Sequence, residues 1–175
     1  DTNVLHGYSP SLGITSVREK VAASLEKRFG LPYRKEHIFM ASGAAGALAH
    51  AFRLVSQPGD EILTFAPFFP EYHPYVDLSG AVLKVVPPDT EAFQINFDKM
   101  EEMMNEKAMA GLINTPNNPS GVVYSAETLK KLAEVLKRKS EEYGHTIYLI
   151  SDEPYRELAY DGVEVPYLTK YYDNT

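Results

Sequence analysis

An acid at the end of a buried strand is the first place where this sequence suggests chemistry. Asp152 follows the apolar run at 146–150 (TIYLI). A carboxylate there is costly to bury unless a cation or a hydrogen-bond donor meets it. A bound cationic nitrogen or a helix N-terminus would serve, and so would a plain role as a helix or turn cap. Tyr155, three residues on, can point to the same side. The segment Asn114-Thr115-Pro116-Asn117-Asn118-Pro119-Ser120-Gly121 packs three asparagines and two prolines into six residues. Proline fixes φ and glycine permits an unusual turn, so such a loop presents an amide side chain with little freedom. Ser42-Gly43-Ala44-Ala45-Gly46 is a small-residue turn entering a helix. Its N–H groups and the positive end of the helix can receive an anion, although tight strand–helix packing explains the same residues. It matches neither the Walker pattern nor GxGxxG. In 65–72 (FAPFFPEY), an aromatic can stack on a planar ring or simply pack in the core.

These segments need elements to hold them. Helical spacing predicts helices at 16–29, 44–55, 98–105 and 125–142, with Gly30 as a C-terminal cap, Ser125 as an N-cap, and a further helix starting near Pro70. Short apolar runs predict five strands, at 37–41 (HIFMA), 61–65 (EILTF), 81–86 (AVLKVV), 109–113 (MAGLI) and 146–150. Strands alternating with helices mean an α/β fold with a mostly parallel, buried sheet flanked by helices. Ligands in such sheets bind beyond the carboxyl ends of the strands. The alanine turn, the asparagine loop and Ser151-Asp152-Glu153 each follow a strand, so they describe one site.

Composition narrows the partners. The chain has 175 residues, 44% hydrophobic, no cysteine, and a net charge of −7. One domain is the prior at this length. The absence of cysteine excludes a disulfide scaffold, a thiolate metal site and a cysteine nucleophile, and it fits a reducing, cytoplasmic setting. The acidic balance argues against nucleic acid as the main partner. No apolar run is long enough for a membrane span. Five scattered histidines show no metal-ligand spacing, so no metal site is expected. The chain opens Asp1-Thr2-Asn3 and closes on Asn174-Thr175, and both ends read as cuts within a longer polypeptide.

In this order the segments resemble the pyridoxal-phosphate-dependent aminotransferases of fold type I, class I and II. The resemblance covers essentially the whole chain. It rests on His6-Gly7-Tyr8, Gly13, Val17-Arg18, SGAAGAL, the turn at 58–61, APFFPEY, NTPNNPSG and SDEPY. It implies that residues 1–175 are part of the large, cofactor-binding domain, stopping before its last two strands and the small domain. The resemblance gives Asp152 the partnership with the protonated pyridine nitrogen of pyridoxal 5'-phosphate. Asn118 and Tyr155 would hold the phenolic oxygen, Phe69 would stack on the ring, and Ala44 and Ala45 would offer backbone N–H groups to the phosphate. Phe69 is a mild departure, since many relatives have Trp or Tyr there. Ala45 lacks the side-chain phosphate contact common at that position. Tyr8 would reach the phosphate of the neighbouring subunit, which implies a homodimer.

The family's Schiff-base lysine lies in a Ser-x-Ser-Lys type segment that this span does not contain, so no catalytic residue is expected within it and the span alone is expected to be inactive. The resemblance implies an enzyme moving an amino group between an amino acid and a 2-oxo acid. A pyridoxal-phosphate C–S lyase and a non-catalytic aminotransferase-like sensor domain are the alternatives. It further implies the strand order one, seven, six, four, five, two, three. With six and seven absent, the strand at 37–41 is expected to re-pair or to drive association.

Overall fold

In the computed structural model, residues 7–89 and 92–175 are described. The chain divides after Ala47 into two compact units. The elements run α1 (Thr15–Phe29), α2 (Gly43–Val55), β1 (Glu61–Phe65), α3 (Tyr72–Asp77), β2 (Val82–Val86), α4 (Phe97–Met103), β3 (Ala108–Asn114), α5 (Ala126–Tyr143) and β4 (Tyr148–Asp152). Short 3-10 turns occur at Lys35–His37 and Leu168–Lys170.

In the first unit, α1 ends as its sequence predicts. Gly30 takes φ +72°, and its N–H donates to the Glu26 carbonyl at 2.8 Å. Left-handed backbone of this kind is open to glycine without a Cβ penalty. Arg18 is buried on α1 and donates to the carbonyls of Ile38 and Lys35 at 2.8 and 2.6 Å. It fixes the segment that follows α1.

That segment corrects one expectation. Residues 38–41 form no strand, Phe39 and Met40 are exposed, and the Met40 N–H donates to the Leu12 carbonyl at 3.3 Å. HIFMA has the composition of a strand, but a strand needs a ladder partner. Among the described residues it has none. The strand expected at 37–41 is therefore not formed.

The second unit holds a four-stranded, all-parallel sheet in the order β2-β1-β3-β4. The expected order placed the last of these strands between the other two inner ones. Instead β3 is interior and β4 is at the edge. The burial pattern agrees with this order. Six of the seven β3 residues are buried, as a strand covered on both faces requires, whereas β4 opens on the exposed Tyr148 and is mostly half-buried.

Two apolar layers enclose the sheet. On one face Leu63, Phe65, Ile113 and Leu149 pack against Met100 of α4 and Leu129, Leu132 and Leu136 of α5. On the other, Ile62, Leu83, Ala110 and Leu112 meet Leu48 and Phe52 of α2 and Tyr72 and Val76 of α3. Alternate residues of each strand thus serve opposite faces. Ser125 caps α5 by accepting from the Thr128 N–H at 3.1 Å.

Candidate functional site

Because all four strands run the same way, the carboxyl ends of β1, β3 and β4 share one edge of the sheet. The 66–71 loop, the asparagine loop and Asp152 leave from that edge. Register sets the finer geometry. Asn114, the last residue of β3, lies opposite Asp152, the last of β4. Asn114 is buried, and its side-chain amide donates to the Asp152 carbonyl at 2.8 Å. Its Oδ1 accepts from the Asn118 N–H at 2.6 Å. One side chain therefore joins two strand ends and holds the loop that follows.

The rest of the loop is fixed in the same way. Asn117 is buried and donates to the Pro67 carbonyl at 3.2 Å. Its Oδ1 accepts from the Ser120 N–H and hydroxyl at 3.0 and 2.7 Å. Gly121 takes φ +74° and returns its N–H to the Asn117 carbonyl at 2.7 Å. Asn118 is left half-buried, with its amide 3.4 Å from the Tyr155 hydroxyl.

Asp152 is half-buried. Its Oδ2 accepts from the Tyr72 hydroxyl at 2.6 Å. Oδ1 accepts no hydrogen bond among the described residues. Burial pushes the carboxyl above its ordinary range; the Tyr72 hydrogen bond opposes this, and the neighbouring Glu153 charge adds to it. Glu153 is itself paired with Arg156, whose Nε and Nη2 reach its two oxygens at 2.8 Å each. Arg156 also donates to the carbonyls of Val165 and Pro166, clamping the chain beyond β4. The aromatic loop packs against Tyr72. Phe69 packs edge-on to Tyr72, with ring centres 5.7 Å apart, and Phe68 lies nearly parallel to Tyr72 at 6.5 Å.

The second unit therefore brings together four of the residues singled out from the sequence: Asn118 and Tyr155 in hydrogen-bond reach of each other, and Asp152 and Phe69 through their shared neighbour Tyr72. A half-buried carboxylate with one unmet oxygen can hold a cationic nitrogen. An amide beside a phenol can hold an oxyanion. In the first unit, Ala44 and Ala45 lie exposed in the first turn of α2. The first turn of a helix leaves its N–H groups without intrahelical partners. Tyr8 is fully exposed, and His6 lies outside the described residues.

Two positioning residues escaped the sequence reading. Asn114 opens the asparagine loop, where residue type alone signals no separate role, and only the β3–β4 register shows it facing Asp152. Tyr72 stood in the aromatic segment, 80 residues from the carboxylate it binds. Its apolar neighbours signalled only a core position. Among the described residues no three His, Cys, Asp or Glu side chains gather as metal ligands, and no helix is long and apolar enough to cross a membrane.

Residues 1–174 match the family model described as aminotransferase class I and II. A probable N-acetyl-LL-diaminopimelate aminotransferase of Bacillus subtilis is 32% identical over the whole of this chain and 43% of its own length. A probable aspartate/prephenate aminotransferase of Thermus aquaticus is 35% identical over 89% of this chain and 39% of its own. Among solved structures, an aminotransferase of Eubacterium rectale is 48% identical, with a TM-score of 0.98 over 100% of this chain and 44% of that one. The chain thus spans about two fifths of the length of the curated relatives it matches.

Proposed function

The chain belongs to the class I and II aminotransferase family, and we propose that it is the cofactor-holding part of a larger, cytoplasmic enzyme that moves an amino group between an amino acid and a 2-oxo acid. The coverage of relatives supports assigning residues 1–175 to part of the large domain, with the family's covalently binding lysine in another part of the polypeptide. The observation that carries the reading is the state of Asp152. It is a half-buried carboxylate at the sheet's carboxyl edge, with one oxygen held by Tyr72 and the other unmet among the described residues.

The residues fit pyridoxal 5'-phosphate. When bound, that group supplies an electron sink for negative charge left at a substrate α-carbon. Asp152 holds a proton on the ring nitrogen, because an adjacent carboxylate favours the cationic form. Asn118 and Tyr155 hold the phenolic oxygen, the Asn118 amide and the Tyr155 hydroxyl lying close enough to share it. Phe69 offers its ring as a wall. The N–H groups of Ala44 and Ala45 hold the phosphate at the positive end of α2. Tyr8, fully exposed in the single chain, would reach the phosphate of a second subunit in a homodimeric enzyme. Amino acid and 2-oxo acid are its substrates.

The full-length protein tests this. It should take up pyridoxal phosphate, show a visible absorption band that borohydride removes, and convert an amino acid and a 2-oxo acid into the exchanged pair. Release of ammonia and pyruvate from a β-substituted amino acid would replace this with the C–S lyase reading. Cofactor binding without turnover on either class would replace it with the sensor reading.

A further inference from the structure

Tyr72 is the first residue of α3 and is 1% exposed. Its ring contacts those of Phe68 and Phe69, in the apolar layer that covers one face of the sheet. A phenylalanine would fill that space equally well. The hydroxyl is the part that packing does not require, and it is spent on one contact, the 2.6 Å bond to Asp152 Oδ2. Burial and the carboxylate together push the Tyr72 phenol far above its ordinary range, so it stays a donor at every working pH. Exposed donors exchange partners with water, but this one is enclosed and cannot.

We propose that Tyr72 is a positioning residue for Asp152: its hydroxyl fixes the carboxylate with Oδ1 free toward the ligand and weakens the carboxylate's hold on protons, so that a proton shared with a bound heteroaromatic nitrogen stays on the nitrogen. A donor on one carboxylate oxygen stabilises the anion relative to the acid. In a desolvated pair the proton goes to the stronger base. Without the hydroxyl, Asp152 regains basicity and the proton moves toward oxygen. The inference rests on Asp152 being the partner of the pyridoxal phosphate ring nitrogen.

The experiment uses the full-length protein loaded with pyridoxal phosphate labelled with 15N in the ring. Tyr72→Phe keeps the ring and the packing, and circular dichroism checks its fold. Its 15N resonance should move from the protonated toward the neutral pyridine position. Its pyridoxal phosphate dissociation constant should rise about tenfold, as expected for loss of one charge-assisted hydrogen bond. Tyr75→Phe, which removes a hydroxyl bonded to Glu71 instead, should match the wild type. In an Asp152→Asn background, Tyr72→Phe should have no further effect on dissociation. An unchanged 15N resonance in Tyr72→Phe overturns the proposal, as does an undiminished effect in the Asp152→Asn background. A neutral ring nitrogen in the wild type overturns the role given to Asp152 itself.

Discussion

Asn114 and Asp152 face each other at the ends of two parallel strands, and the Asn114 amide donates to the Asp152 carbonyl at 2.8 Å. The same side chain accepts the Asn118 N–H at 2.6 Å. The residue that carries the acid and the loop that carries the amide are therefore held by one buried group. Asn114→Ala should leave a part-buried carbonyl and a part-buried N–H without their partner, at about 1 kcal/mol for each. Urea unfolding of the full-length protein reads the loss. A change within 0.5 kcal/mol, taken as the limit for an ordinary surface site, would show that the bridge does not matter.

The Asp152 carboxyl gives a pH dependence whose sign is fixed. Burial raises its pKa in the folded chain, and the Tyr72 bond only partly offsets this. The folded state then binds that proton more tightly than the unfolded state does. Stability contributed at this site is greatest below the unfolded value of about 3.9, falls as pH rises toward the raised folded value, and is constant above it. In cofactor-free full-length protein, Asp152→Asn should remove this fall and be the more stable form at neutral pH. Denaturation midpoints across pH 4–8 test it, and identical wild-type and variant profiles would contradict it.

Ser125 separates structure from chemistry. It caps α5 through the Thr128 N–H and lies exposed on a helix whose other face is in the core. Ser125→Ala should cost about 1 kcal/mol of stability. Cofactor affinity should be unchanged, as measured by titration of the full-length protein.

Gly121 tests the asparagine loop. At φ +74°, with no atom within 4 Å of an added Cβ, it can be strained only through its backbone. Gly121→Ala should cost about 1–2 kcal/mol, the penalty of left-handed backbone for an L-residue. It should also loosen Asn118, because the Gly121 N–H closes the turn on Asn117. Weaker cofactor binding together with a stability loss of that size would locate the effect in the loop, and unchanged binding would show that the turn does not hold Asn118.

How far the residues alone revealed this arrangement depended on whether the cause was local. The apolar run EILTF, bounded by Gly59-Asp60 and Ala66-Pro67, is a strand over the residues predicted. The Gly30 and Ser125 caps are where side-chain chemistry puts them. Asp152 and the asparagine loop were legible because an acid and a proline-fixed amide are unusual at strand ends. Pairing was not legible. HIFMA looks like a strand but has no ladder partner here, and the order of β3 and β4 depends on which is buried on both faces. Tyr72 meets Asp152 only because α3 packs on the sheet and brings its first residue to the end of β4, a long-range fact that no local pattern encodes.

The central claim is that the Asp152 carboxylate keeps a positive charge on the ring nitrogen of a bound cofactor. The most direct measurement compares full-length wild type and Asp152→Asn, loaded with pyridoxal phosphate, across a panel of amino acid and 2-oxo acid pairs. Loss of preorganised charge at the reacting ring should lower kcat/KM on the order of 10²–10³-fold, with weaker cofactor retention. Wild-type turnover and wild-type cofactor affinity in the variant would contradict the account.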